Sequence, residues 1–177
     1  MLSTAYDFKG EETEMRSRAK AVLLAFLLAS CSSESSPGIS EISLRNGGGQ
    51  LVYWYQIVLR KDGTAEYLGD VGPERRRESK PFSNALDKGA ERVKYRGRIS
   101  QEQFNELEKL ITRNGFFSLK DNYDGVSDAV QTTTSVVYSK GRKEVNNQIG
   151  QGGEKLSEIE STINRMADQI AWTKVNN

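Results

Sequence analysis

The chain has no histidine and one cysteine, Cys31, among its 177 residues. Metal sites built on imidazole or paired thiolates are therefore excluded, as are Ser-His-Asp and Cys-His nucleophile pairs. One thiol closes no internal disulfide, so packing must hold any folded domain together. Neither sign of charge is in excess: 25 basic and 24 acidic residues give a net charge of +1, which offers no global steering toward nucleic acid or anionic lipid. Long hydrophobic runs are missing too. Ala21–Ala29, AVLLAFLLA, is nine residues, against the roughly 20 that a helix needs to cross a bilayer.

What surrounds that short run gives it meaning. Arg16, Arg18 and Lys20 precede it, and small residues follow, the order of n-region, h-region and cleavage site in a secretory signal peptide. Leu28-Ala29-Ser30-Cys31 resembles the lipobox of bacterial lipoproteins. The resemblance covers Met15–Cys31. It implies cleavage between Ser30 and Cys31, diacylation of the Cys31 thiol and acylation of the new amino terminus. Cys31 is then an anchor to the membrane rather than a ligand or nucleophile, and several acyl chains hold firmly where one binds marginally. A signal peptide cut elsewhere, leaving a stray thiol, and a buried amphipathic helix are the competing readings. By the same resemblance, Ser32 after the cysteine favours the outer membrane, facing the periplasm, in a host with two membranes. Residues 1–14 carry Asp7, Glu11, Glu12 and Glu14 against Lys9 alone, an acidic leader ill suited to export. Met15 is the expected start and 1–14 an over-called extension.

Setting aside residues 1–30 removes four basic and four acidic residues and leaves the balance at +1. What remains is one domain's length and can bury a core. Residues 31–40, CSSESSPGIS, are small and polar and read as a flexible tether. Residues 41–177 read as a single globular domain. Ile42 and Leu44 suggest a short strand. Leu51–Arg60 is the strongest strand, with Tyr53, Tyr55, Ile57 and Leu59 on one face and Val52, Trp54 and Val58 on the other. Asp62-Gly63 signals a hairpin turn into Thr64–Gly69. Val71–Ala90 lacks periodicity and reads as a long surface loop. Glu91–Ile99 alternates again, with Val93, Tyr95, Gly97 and Ile99 inward and Lys94, Arg96 and Arg98 outward.

Ser100-Gln101-Glu102-Gln103 is a capping box, with Ile99 and Phe104 placed for a hydrophobic staple. Phe104, Leu107, Leu110 and Ile111 continue one apolar stripe, and Gly115 suits a left-handed helix end. Phe116, Phe117 and Leu119 should return to the core. Asp121–Val130 reads as a polar loop, and Gln131–Ser139 as a β-branched strand. Lys140-Gly141 turns it into Arg142–Ile149, with Val145 and Ile149 inward. Gly150–Gly153 leads to a last helix whose Leu156, Ile159, Ile163, Met166 and Ile170 share a face. The expected fold is α+β: a mainly antiparallel sheet of about five to six strands, two amphipathic helices on one face, in the order β-β-β-loop-β-α-β-β-α.

Four stretches in order, Ile42–Arg45 (ISLR), Tyr55–Gly69 (YQIVLRKDGTAEYLG), Tyr95–Tyr123 (YRGRISQEQFNELEKLITRNGFFSLKDNY) and Thr132–Tyr138 (TTTSVVY), resemble an exported bacterial domain of unknown function. Its pattern is a strand, a DGT-type hairpin, a Tyr-x-Gly, a helix ending Gly-Phe-Phe, a Thr-rich strand and a second hairpin. Members often carry a cysteine pair between the first two strands, where this chain has Gly47-Gly48-Gly49. The resemblance implies a fold and no reaction.

Candidate sites are few. Asp121–Gly125 with Asp128 suggests a calcium loop. In an EF-hand register, Asn122, Asp124 and Gly125 would take positions three, five and six, but Lys120 and Gln131 would occupy the first and twelfth, where ligands are required. An Asx-turn loop explains the same residues. Gly150–Lys155, GQGGEK, lacks the Gly-Lys-Ser/Thr of a phosphate loop. Arg75, Arg76 and Arg77, flanked by Glu74 and Glu78, read as a solvated loop or as a contact for anionic lipid or cell-wall polymer. Lys94, Arg96 and Arg98 form a basic stripe that usually marks a solvated edge. Tyr53, Trp54, Tyr55, Tyr67 and Tyr95 could stack on sugar rings but suit a core. No cofactor and no metal are expected. The expected function is a lipid-anchored cell-envelope protein, binding or structural, with an envelope protein or polymer as partner. The competing expectation is an envelope enzyme using carboxylate acid–base chemistry on glycans or peptides.

Overall fold

The structure is a computed structural model. It describes residues 37–47, 53–78, 91–125, 130–148 and 150–176. The described residues all belong to one compact unit within Ser36–Asn177. Ser30, Cys31, Val52, Asp128, Ile149 and residues 79–90 lie outside them.

Eight strands form one sheet. They are β1 (Glu41–Gly47), β2 (Tyr55–Arg60), β3 (Thr64–Gly69), β4 (Val93–Arg98), β5 (Asn122–Tyr123), β6 (Gln131–Tyr138), β7 (Gly141–Gln148) and β8 (Thr173–Lys174). Helix α1 (Gln101–Arg113) follows β4, and α2 (Gly153–Gln169) follows β7. The spatial order is β5-β7-β6-β1-β2-β3-β4-β8. Every pairing is antiparallel except β5 with β7. The α+β class is as expected. The strand number is corrected from about five to six to eight, and the chain order gains a strand before β6 and another after α2. Both additions are two residues long, too short to show alternation, and exist through pairing to a longer neighbour.

The local rules explain most of the rest. Gly63 takes φ +84° in the β2–β3 turn, while Asp62 Oδ1 accepts from Thr64 N at 2.8 Å and Thr64 Oγ1 at 2.7 Å. Ser100 caps α1: Gln103 N donates to its Oγ at 3.1 Å, and Ser100 N donates to Gln103 Oε1 at 3.0 Å. Gly115 has φ +66° just past the helix, as a left-handed stop requires.

Alternate strand positions put Ile42, Leu44, Tyr55, Ile57, Leu59, Ala65, Tyr67, Val136 and Val145 into one core. Both helices bury their apolar stripes in it: Phe104, Leu107, Leu110 and Ile111 from α1, and Leu156, Ile159, Ile163 and Met166 from α2. Burying each such side chain contributes about 1.5–3 kcal/mol relative to leaving it in water. Phe116 is buried, while Phe117 and Leu119 are half-buried against the core. The opposite sheet face carries Arg45, Arg60, Glu66, Arg96 and Arg98. The start of β1 is fastened to two hairpin tips. Ser139 N and Oγ donate to Pro37 O at 3.3 and 2.8 Å, and Lys61 N donates to Ser40 O at 3.0 Å.

Candidate functional site

Helix α2 crosses the core face with Glu160, Asn164 and Asp168 spaced by four, which aligns them on one flank. Each meets a different partner, and together they make a polar seam. Glu160 comes first. Its carboxylate accepts from Asn147 Nδ2 at 3.0 and 3.2 Å and from Thr134 Oγ1 at 3.5 Å. Burial pushes the Glu160 carboxyl up to about 7, against the lowering effect of the Asn147 and Thr134 hydrogen bonds. Asn147 Oδ1 accepts from Gly152 N at 2.9 Å, tying β7 to the start of α2.

Asn164 is the middle of the seam. Its Oδ1 accepts from the Tyr55 hydroxyl at 3.0 Å, and its Nδ2 donates to Glu160 O at 3.1 Å. Burial raises the Tyr55 phenol, partly offset by the nearby Arg76 charge. Arg76 closes the seam. It is 4% exposed and donates to Pro73 O at 2.5 Å, Asn164 O at 2.8 Å and Asp168 Oδ1 at 2.5 Å. Its Nε is buried and has no partner. Beside it lies a cleft of about 230 Å³ lined by Pro73, Tyr95, Asp168 and Trp172, among others.

The seam's chemistry is limited. A carboxyl near pH 7 can hold or release a proton, and Thr134 and Asn147 are its partners. The second carboxylate of the flank, Asp168, sits eight residues on, about 12 Å at 1.5 Å per residue. It is paired with Arg76 and, at 2.7 Å, with Arg77. Paired-carboxylate glycoside chemistry works at roughly 5–9.5 Å.

A second concavity opens on the other face of the sheet. A groove of about 820 Å³ is lined by Arg60, Asp62, Thr64, Glu66, Arg96 and Arg98, with Ala171 and Thr173 along its side. The register makes this lining: Thr64 pairs with Arg98 and Glu66 with Arg96. Arg60 is held by Glu41 at 2.9 Å and Glu66 at 3.4 Å. The Asp62 carboxylate is held below its usual range by the Thr64 hydrogen bonds. Among the described residues, Arg96 and Arg98 form no close carboxylate ion pair, although the Arg60 and Arg98 charges add to the lowering of Asp62.

The expected site residues separate. Arg75 is exposed and pairs with Glu78 at 2.9 Å, and Arg77 is exposed beside Asp168. Arg76 departs from the solvated triplet, because its guanidinium is drawn inward by two carbonyls and a carboxylate. Asp124 is exposed. Asp121 pairs with Lys143, Asn122 Oδ1 accepts from Asn146 Nδ2 at 2.8 Å, and Gly125 N donates to Gln148 Oε1 at 2.7 Å. These contacts fasten the loop to β7. Among the described residues, no three acidic or thiol groups gather as a metal site. Tyr53, Tyr55 and Tyr67 are buried, and Tyr67 stacks on Tyr55 and meets Tyr95 edge-on and Trp172 at a tilt, with ring centroids 6.0–6.2 Å apart. Trp54 instead lies under Arg92, 3.7 Å from ring centroid to guanidinium carbon. Glu160 was absent from the sequence-based candidates. Its signal is positional: it follows Ile159 and precedes Ile163 by three, which puts a carboxylate beside the apolar stripe.

Residues 54–167 match the family model described as Domain of unknown function (DUF6438), and the chain belongs to that family. The match spans the DGT hairpin, α1 and the Thr-rich strand, three of the four stretches that suggested a domain of unknown function. No curated protein matches the chain.

Proposed function

We propose that this protein is exported, lipid-anchored to the bacterial cell envelope through Cys31, and that its folded domain binds a partner rather than catalysing a reaction. The order of charge, nine-residue apolar run, small residues and cysteine across Met15–Cys31 carries the anchor. Ser32 favours the outer membrane. For the domain, the support is the pair of exposed guanidiniums, Arg96 and Arg98, that form no close ion pair among the described residues of an open groove, together with a seam whose two carboxylates lie too far apart to share a substrate bond. The anchor is tested by growing expressing cells with tritiated palmitate. The wild-type chain is expected to take up label and fractionate with membranes, and Cys31→Ser to do neither. Label retained by Cys31→Ser overturns the anchor.

The competing enzyme reading is favoured by one observation, the near-neutral carboxyl of Glu160. It predicts hydrolysis of envelope glycans or peptides by the purified protein, lost in Glu160→Gln. Absence of turnover in the wild type removes it.

A further inference from the structure

We infer that the groove between Arg60, Arg96 and Arg98 is a seat for the phosphate of an anionic phospholipid headgroup in the membrane that holds the anchor. The placement rests on the lipid-anchor reading; the chemistry of the groove stands on the geometry.

Three observations converge. First, the groove holds unspent positive charge. Of its three guanidiniums, Arg60 is engaged by Glu41 and Glu66, while Arg96 and Arg98 project from alternate positions of β4 and are exposed. The facing carboxylates are Glu66, committed to Arg60, and Asp62, whose Oδ1 is taken up by Thr64 and which the Arg98 charge reaches without a close ion pair, so the lining's three guanidiniums outnumber its two carboxylates. Guanidinium presents a planar fork of donors that matches phosphate oxygens. Second, Thr173 lines the same groove and adds a hydroxyl donor, the Thr64 hydroxyl being committed to Asp62, while the C-terminal segment at Ala171–Thr173 walls one side.

Third, the groove lies at the end of the sheet where the chain arrives from Cys31. Lys61, next to Arg60 and Asp62, binds Ser40, and Arg98 pairs with Thr64 just past the same turn. Pro37 is six residue steps from Cys31, which at full extension span about 20 Å. An anchor at Cys31 therefore keeps this end of the sheet within reach of headgroups. A basic residue near an anionic surface adds attraction that decays within a Debye length, so proximity and charge act together at this groove. The Arg92–Trp54 stack lies at the opposite ends of β2 and β4, beyond Tyr55 and Val93, and Glu160 meets β6 and β7 on the core face.

The test uses the mature chain purified from its membranes and reconstituted in vesicles. One set is phosphatidylcholine alone and the other contains phosphatidylglycerol. Arginine modification by phenylglyoxal, mapped by mass spectrometry, reads each side chain. Arg96 and Arg98 are expected to react about tenfold more slowly with phosphatidylglycerol present, and the difference to vanish in 1 M salt, where the Debye length is about 3 Å. Equal reactivity in both vesicles overturns the headgroup seat. Equal protection by soluble inorganic phosphate or polyphosphate at matched phosphate overturns the bilayer as the source. In a second measurement, amide exchange at Lys61–Thr64 is expected to slow with phosphatidylglycerol in the wild type. In R96Q/R98Q that slowing should be lost with the melting temperature unchanged, and slowing that persists counts against the proposal. The intact mass separates the two readings. A mature chain without acyl groups overturns the anchor and this placement with it, whereas an acylated chain with unprotected arginines overturns the headgroup seat alone.

Discussion

Arg76 and Asp168, 92 residues apart in sequence, form a 2.5 Å ion pair in which the guanidinium is 3% exposed and the carboxylate 42%. The two ends differ in kind. Asp168 remains half in water, so its charge is already solvated and the pair alone is worth little. Arg76 is sealed against the core, where its donors also satisfy Pro73 O and Asn164 O. Removing the guanidinium leaves those acceptors short, and an unmet buried polar group costs about 1–3 kcal/mol. Arg76→Ala is therefore expected to destabilise by about 3 kcal/mol, read as a urea midpoint shift at constant slope. Arg76→Lys keeps charge without the fork and should fall between. Asp168→Asn should cost least. An Asp168→Asn loss equal to that of Arg76→Ala would show that the carboxylate, not the carbonyls, dominates.

The α1 cap gives a cleaner test because the boundary is local. Ser100 and Gln103 exchange hydrogen bonds across the first turn. Ser100→Ala should cost about 1 kcal/mol, and Ser100→Asp should retain most of the stability, since its carboxylate also accepts from the N3 amide and favours the helix N-terminus. Thermal melts of the two variants against wild type decide it. Equal losses would mean that packing of Phe104 and Leu107 fixes α1 without the cap.

The contrast between α1 and Arg76 explains what the sequence discloses. Capping residues, the Asp62-Gly63 turn and the α2 stripe are near-neighbour physics, with partners two to four positions away. Their spacing is visible in one line of text. Strands β5 and β8 have no internal pattern, because two residues cannot alternate. They exist because Asn122 and Tyr123 pair with β7, and Thr173 and Lys174 with β4. Arg76 reads as one of three equivalent arginines until Asn164 and Asp168 arrive from α2. Glu160 was half legible: helical periodicity places it beside the stripe, but its partners Asn147 and Thr134 come from a hairpin that only the folded sheet delivers. The basic stripe of β4 was legible residue by residue, whereas the groove required Arg60 and Thr64 from the neighbouring hairpin.

Gly97 shows how a single hydrogen atom admits the C-terminal segment. A β-carbon there would lie 2.3 Å from Ile170 Cγ2 and 3.2 Å from Trp172 Cε3. Gly97→Ala should push the segment after α2 off the edge of β4, with an overpacking cost of about 1–3 kcal/mol. Amide exchange should rise at Trp172–Val175, whose backbone is held to β4 by the β8 pairing and by Val175 N donating to Lys94 O at 2.8 Å. Unchanged exchange there would mean that Ile170 repacks within the core. Gly115→Ala makes the control, since its β-carbon meets nothing within 4 Å and only the +66° φ opposes it, at about 1 kcal/mol.

Glu160 makes stability depend on pH, and the sign follows from its direction. Its carboxyl stands at about 7 in the folded chain against an ordinary 4.5. Between these values the folded state binds more protons than the unfolded one, so stability falls as pH rises. The contribution of the neutral form is complete below about 4.5 and is lost as pH passes through about 7. Asn147 and Thr134 soften the loss, because both donate to the ionised carboxylate. Glu160→Gln keeps the shape and removes the titration. It should flatten the decline in urea midpoint between pH 5 and 8 and gain stability over wild type at pH 8. A mutant that tracks the wild-type profile across this window would place the titration elsewhere. Thr134→Val removes one of the donors, and should steepen the wild-type decline by penalising the ionised form alone.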